Sequence, residues 1–171
     1  MEFPIWIPFQ SEWWTFFVIL LSIPILIYIS ELILRFKILS PEANRRLVHL
    51  FVGMLITFSP LIFSDYLLPS ILALIFIMVN YYAFHHEKFK GIHSQDRITY
   101  GTIYFPFGYL ILTIGFWQYT ELVIISLAIL AIADPFAAII GENSSKSFEF
   151  VIWKDKKTIQ GTISYFIISF I

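Results

Sequence analysis

The chain contains no cysteine, which excludes disulfides, thiolate metal centres and a cysteine nucleophile whatever the redox compartment. Charge is scarce as well: Asp, Glu, Lys and Arg make up 13% of the 171 residues, against about 25% in an ordinary soluble domain. The signs nearly cancel, 11 basic against 12 acidic for a net charge of −1, so no global field draws in nucleic acid or a strongly acidic partner. There is no Walker A glycine loop, no protein-kinase catalytic loop and no glycine-rich lid, so any nucleotide would have to be held by another device. Internal repeats, low-complexity tracts and dividing linkers are missing too, and residues 1–171 read as one domain.

What fills the chain is hydrocarbon. Hydrophobic residues reach 58% and aromatic residues 19%, a composition that excludes both disorder and an ordinary soluble fold. Six apolar runs occupy 13–30, 47–64, 66–84, 98–120, 122–141 and 158–171. The first five hold 18 to 23 residues each, which suffices to cross ~30 Å of hydrocarbon. The sixth has 14, short of a full span by about six residues. The expected fold is therefore all-α: a polytopic integral membrane bundle of about six transmembrane segments. Its last segment is incomplete, as if the chain were cut within a sixth helix or packed there as a partial span.

Basic residues near span ends are retained on the cytoplasmic side, and here they segregate completely. Arg35, Lys37, Arg45 and Arg46 follow the first run, Lys88, Lys90 and Arg97 the third, and Lys146, Lys154, Lys156 and Lys157 the fifth. The expectation is a cell (inner) membrane protein with its N-terminus outside and its three basic loops in the cytoplasm. No basic segment precedes the first run, so that run does not read as a cleaved signal peptide. The four histidines, His49, His85, His86 and His93, fall on the same inner side. Adjacent histidines in a polar loop without cysteine are more often solvated than zinc-bound, and His85, His86 and His93 receive no role.

Three inner-face segments carry candidate chemistry. The first is Ser40-Pro-Glu-Ala-Asn-Arg-Arg-Leu-Val-His-Leu-Phe-Val-Gly53. Ser40 as N-cap with Pro41 behind it starts a helix, on which Arg46, His49 and Gly53 stack along one face at spacings of three and four. The plainer reading is snorkelling arginines and a histidine bonded to a neighbouring helix. The second segment, Arg97-Ile-Thr-Tyr-Gly-Thr-Ile-Tyr-Phe-Pro-Phe-Gly108, interrupts an apolar run with two glycines and a proline. It reads as a helix broken at membrane depth, where irregular backbone lines a cavity, or as an interfacial loop that turns helical only after Pro106, with Tyr100 and Tyr104 in an aromatic belt.

The third is Ala133-Asp-Pro-Phe-Ala-Ala-Ile-Ile-Gly-Glu142 with the loop that closes in Lys154-Asp-Lys-Lys-Thr-Ile-Gln-Gly-Thr162. Asp134 lies ~10 Å below Gly141 on a helix. A carboxylate there costs ~2.5–3.5 kcal/mol at a helix centre and must face a cation, a partner or water. Pro135 frees the carbonyl of Ala131 nearby. Together these form a candidate site for magnesium or a hydroxyl group; the structural alternative is Asp134 paired with an arginine that holds helices together. Lys156 and Lys157, just before a helix start at Thr158, would favour a polyphosphate, although lysines before a cytoplasmic helix already follow from the orientation rule.

The order Arg46-Leu-Val-His49 with Gly53, Tyr100-Gly-Thr-Ile-Tyr-Phe-Pro106, Asp134-Pro-Phe-Ala-Ala-Ile-Ile-Gly141 and Lys157-Thr-Ile-Gln-Gly-Thr162 resembles the CTP-dependent lipid kinases that act on dolichol, phytol and diacylglycerol. The resemblance implies phosphoryl transfer from CTP to the hydroxyl of a membrane lipid with Mg²⁺, in a polytopic helical enzyme. On that reading Asp134, Arg46 and His49 are catalytic. Lys146, Lys156, Lys157, Thr158, Gly161, Tyr100 and Gly101 bind the nucleotide, and Asp134 and Glu142 hold the metal. The chain departs from the family pattern at Lys146, which lacks a preceding glycine, and at Gln160, where an acidic residue is usual. The Asp134-to-Thr158 segment is also similar to phosphatidate cytidylyltransferase, which attaches CMP to phosphatidate; Asp155-Lys156 stands where those enzymes carry Ser-Pro. A third possibility is a transporter or scaffold in which Asp134 and Asn80 form a polar path or interhelical glue.

Overall fold

The computed structural model describes Pro4 and residues 11–85, 101–144, 148–152 and 155–171. The elements are α1 (Glu12–Arg35), α2 (Pro41–Thr57), a single turn α3 (Ser59–Ile62), α4 (Leu67–His85), α5 (Gly101–Phe116), α6 (Thr120–Asn143), β1 (Glu149–Ile152), β2 (Asp155–Thr158) and α7 (Ile159–Ser169). Three stretches, Glu12–Arg35, Pro41–Ile62 and Thr120–Asn143, are long and apolar enough to cross a membrane, and shorter apolar helices cover Leu67–Ala83, Thr102–Phe116 and Ile159–Ser169.

Local chemistry sets the helix ends. Ser40 caps α2, its hydroxyl accepting from the Ala43 amide at 3.2 Å with Pro41 in the first turn, and Thr158 caps α7 by accepting from the Gly161 amide at 3.1 Å. Both caps fall where the sequence places them. The fourth apolar run departs from both of its expected forms, since α5 runs unbroken through Pro106. A proline in the second turn deprives only Thr102 of an amide partner, close to the helix start, and the rest of the ladder is untouched.

The all-α expectation also needs correction, because the loop after α6 contains an antiparallel hairpin in which Glu149 pairs with Thr158, Phe150 with Lys157, Val151 with Lys156 and Ile152 with Asp155. Glu149-Phe-Val-Ile152 is rich in the aromatic and β-branched residues that pleated backbone favours. α7 has 11 residues, ~16 Å of rise and about half the hydrocarbon thickness.

Packing closes a ring: α1 lies against α2 and α4, α4 against α5, α5 against α6, and α6 against α2, with α7 docked outside on α6. One core cluster joins Phe16, Ile19, Ile23 and Ile27 of α1 to Leu68, Leu72 and Phe76 of α4 through Phe63. A second joins Ile56, Ala73, Tyr109, Val123 and Leu127 across four helices. Polar staples supplement them. Asn44 donates to the Ser30 hydroxyl at 2.7 Å between α1 and α2, and Ser70 donates to Thr113 at 3.1 Å between α4 and α5. At the opposite end of the ring the Ser64 amide donates to Glu12 at 2.9 Å.

The tightest contacts are made by glycines. A Cβ on Gly53 would stand 2.5 Å from that of Ala131 and 3.0 Å from its Cα. On α7 a Cβ at Gly161 would stand 2.9 Å from the Ala137 carbonyl, and one at Gly141 would collide with the Thr158 hydroxyl. By contrast nothing lies within 4 Å of a Cβ at Gly108. Gly53→Ala should therefore lower stability by ~1–3 kcal/mol through overpacking, whereas Gly108→Ala should raise it by ~0.5–1 kcal/mol as ordinary helix propensity dictates. Thermal unfolding of the two variants in the same detergent checks the opposite signs.

Candidate functional site

α2 and α6 run antiparallel, since Arg46 meets Glu142 while Gly53 meets Ala131. With the crossing at Gly53 this close, the polar residues one and two turns along α2 are brought against α6. Arg46 forms an ion pair with Glu142 at the basic end of the ring. One turn deeper, His49 Nε2 lies 3.1 Å from the Leu130 carbonyl and 4.0 Å from Asp134 Oδ2. A carbonyl only accepts, so Nε2 carries the proton. The imidazole is held from its other side by the ring of Phe105, at 4.6 Å between centroids.

α7 completes the site from the opposite flank of α6. The Gly141/Gly161 contact lets the two backbones approach, and one turn past Gly161 the Tyr165 ring comes within electrostatic range of Asp134. Asp134 thus lies within reach of His49 and in the electrostatic range of Tyr165, and its side chain is 59% exposed, outside the core. Pro135 cannot donate to the Ala131 carbonyl, so the helix carries a break in its ladder beside the acid and beside the carbonyl that His49 engages.

Arg46, His49, Gly53, Asp134 and Glu142 are accordingly brought onto one α2–α6 seam. Asp134 and Glu142 are eight residues apart on α6, ~12 Å of rise, too far to share one magnesium ion with ligands at ~2.1 Å. Glu142 is engaged by Arg46, and Asn143 donates to the Ile139 carbonyl of its own helix at 2.9 Å. Among the described residues no group of three His, Asp or Glu side chains converges on a metal position. Asn80 donates to the Phe76 carbonyl within α4 at 2.8 Å, a bond inside one helix that makes no interhelical glue.

The nucleotide-binding candidates divide. Gly101 opens α5, one turn before the Phe105 that touches His49. Thr158 and Gly161 lie at the α6–α7 contact. Lys157 is exposed on β2 opposite Phe150, and Lys156 occupies the next position of the same strand, opposite Val151. Tyr100 and Lys146 lie outside the described residues. The start of α7 is less open than its position implies, because the Ile159 amide donates to the Phe148 carbonyl at 3.0 Å and the Gly161 amide to Thr158. An anion there would rely on the lysines' charge more than on free backbone donors.

Sequence reasoning did not single out Tyr165 or the Ser30–Asn44 lock. Tyr165 had a detectable signal in its place four residues after Gly161, on the face that the glycine turns toward α6.

No protein-family model matches the chain, and neither a curated protein nor a solved structure matches it. The site geometry is tested through the natural absence of cysteine. In vesicles, Asp134→Cys should react readily with a charged, membrane-impermeant thiosulfonate that reaches the basic side, whereas Leu127→Cys, fully buried on the same helix, should stay unmodified. Loss of free thiol by mass spectrometry reads both, and an inert Asp134→Cys would mean that water does not reach this position.

Proposed function

We propose that the chain is a membrane-embedded lipid kinase that transfers the terminal phosphoryl group of CTP to the hydroxyl of a polyprenol, phytol or diacylglycerol-type lipid. It does so as a bundle of about six spans, with its N-terminus outside and its basic loops in the cytoplasm of a cell membrane. One observation carries this reading: an exposed carboxylate about a third of the way into a membrane-length helix, 4.0 Å from a histidine of another helix. Ionisable groups at such depth are costly and mark substrate paths. On this reading the exposed face of α6 beside Asp134 is a cleft reached laterally from the bilayer and axially from the basic end, where a lipid alcohol meets a soluble nucleotide.

Asp134 fits Mg²⁺ in the way such ions are usually held, by one or two carboxylates completed with phosphate oxygens and water. Glu142, committed to Arg46, does not complete that set. Bound there, the ion would neutralise charge on the phosphates. The protein's own part is mostly positioning and charge, since phosphoryl transfer asks little covalent chemistry of it. The lipid oxygen attacks the terminal phosphorus, the bond to the bridging oxygen breaks, and CDP leaves with that oxygen. Asp134 holds the ion or accepts the hydroxyl proton, and His49, 4.0 Å away, orients the transferring group or relays a proton. Arg46 retains a buried Nε with no hydrogen-bond partner among the described residues, a donor that remains for an equatorial phosphate oxygen while Glu142 fixes the guanidinium. Lys157, Lys156 and Lys146 supply positive charge for the triphosphate on the same side.

Purified protein incubated with CTP, Mg²⁺ and mixed lipid alcohols should release CDP and form a lipid phosphate. Asp134→Asn should lower the rate by at least about a hundredfold while thermal unfolding and membrane insertion stay at wild-type values. Release of pyrophosphate from phosphatidate would instead identify a cytidylyltransferase. No CTP consumption with any lipid would favour a transporter or scaffold.

A further inference from the structure

The hairpin between α6 and α7 shows an arrangement that neither the core nor the cleft explains. Its strands have four residues each, and an isolated two-stranded ribbon of that size is marginal in water. It nevertheless exposes Phe148, Val151 and Ile152 at 68%, 63% and 54% of their surface. Its base is fixed to the helix ends: the Ile159 amide donates to the Phe148 carbonyl at 3.0 Å, the Phe148 amide donates to the Gln160 side chain at 3.2 Å, and Thr158 abuts Gly141. Those helix ends are where a membrane-length α6 leaves the hydrocarbon. The segment 146–157 carries four lysines against two acids, Glu149 and Asp155. Exposed apolar side chains with the exposed Lys157 beside them, in a segment of net positive charge, match an anionic bilayer surface in both hydrophobicity and charge.

We propose that the strands β1 and β2 form an interfacial anchor. The hairpin stands edge-on in the anionic leaflet's surface beside the exits of α6 and α7, so that both of its faces, Ile152 on one and Val151 on the other, meet the boundary of headgroups and acyl chains, with Lys157 among the lipid phosphates. The inference rests on the membrane-spanning reading of α1, α2 and α6, and does not depend on the reaction catalysed. It gives the hairpin a partner, the lipid surface, that holds the basic segment next to the cleft mouth.

The cysteine-free chain allows a direct test. Val151→Cys and, as a control, Ile25→Cys in the middle of α1 are each labelled with an environment-sensitive fluorophore. The full chain is then reconstituted into vesicles of phosphatidylcholine, or of equal parts phosphatidylcholine and phosphatidylglycerol, carrying lipids with a nitroxide near the headgroup or near the chain end. The expected result is loss of most Val151 emission to the shallow nitroxide, greater in the phosphatidylglycerol vesicles. Lys157→Glu should abolish that difference. Emission at Val151 untouched by the shallow nitroxide, with Ile25 quenched by the deep one, would overturn the anchor while leaving the spanning reading intact. Equal quenching at Val151 in both vesicles would overturn the assignment to an anionic surface. If neither position is quenched, both the anchor and the spanning reading fail.

Discussion

The close approach of α6 to α2 on one flank and α7 on the other sets every distance at the site. Inside a membrane the hydrophobic effect does not drive helices together, because lipid tails are as apolar as leucine, so association relies on small residues that let backbones meet. Gly53 against Ala131 brings α2 in, and Gly161 against Ala137 and Gly141 brings α7 in. The consequences follow from helix periodicity. Four residues before Gly53 lies His49, three residues past Ala131 lies Asp134, and four residues past Gly161 lies Tyr165. Side chains with these spacings share the faces that the glycines bring together. A larger residue at any of these glycines would move these side chains apart even where the helices still formed.

The Arg46–Glu142 pair is a different kind of contact. Glu142 is half-exposed whereas Arg46 is mostly buried, so the guanidinium has given up water and needs its carboxylate more than the reverse. Removing Glu142 would leave a largely desolvated cation, a cost that is larger than the worth of the pair itself. This asymmetry suits a position at the cleft mouth on the proposed reading. An arginine that is held firmly but keeps Nε uncommitted can receive an oxyanion without first reorganising.

How much of this was legible in the chain depends on the range of the interaction that decides it. Helix existence and both caps were legible, because Ser40, Pro41 and Thr158 act within four residues of themselves. The Arg46, His49 and Gly53 stripe was legible for the same reason. The helix through Pro106 and the hairpin were not. In the first case the cost of a proline depends on how near the helix end it falls, and that end at Gly101 is set by the fold. In the second, four-residue strands are too short to show a period against an apolar background. The partners of Asp134 were only half legible: an unpaired acid in an apolar run demands company, but that the company is His49 and Tyr165, with Arg46 turned to Glu142, is decided by which glycines meet.

Thr158 links the two parts of the molecule that would otherwise seem independent. It ends β2, caps α7 through the Gly161 amide, and presses its hydroxyl side against Gly141 of α6. A displacement of the hairpin cannot be absorbed by a slack linker, because no residue separates β2 from α7. It must rotate the first turn of α7 or separate α7 from α6 at Gly141. Either movement acts on Tyr165, one turn beyond Gly161, and hence on the surroundings of Asp134. A hairpin held on a surface would therefore fix the first turns of α7, and the rigidity of that side of the site would depend on a contact made outside the helical bundle.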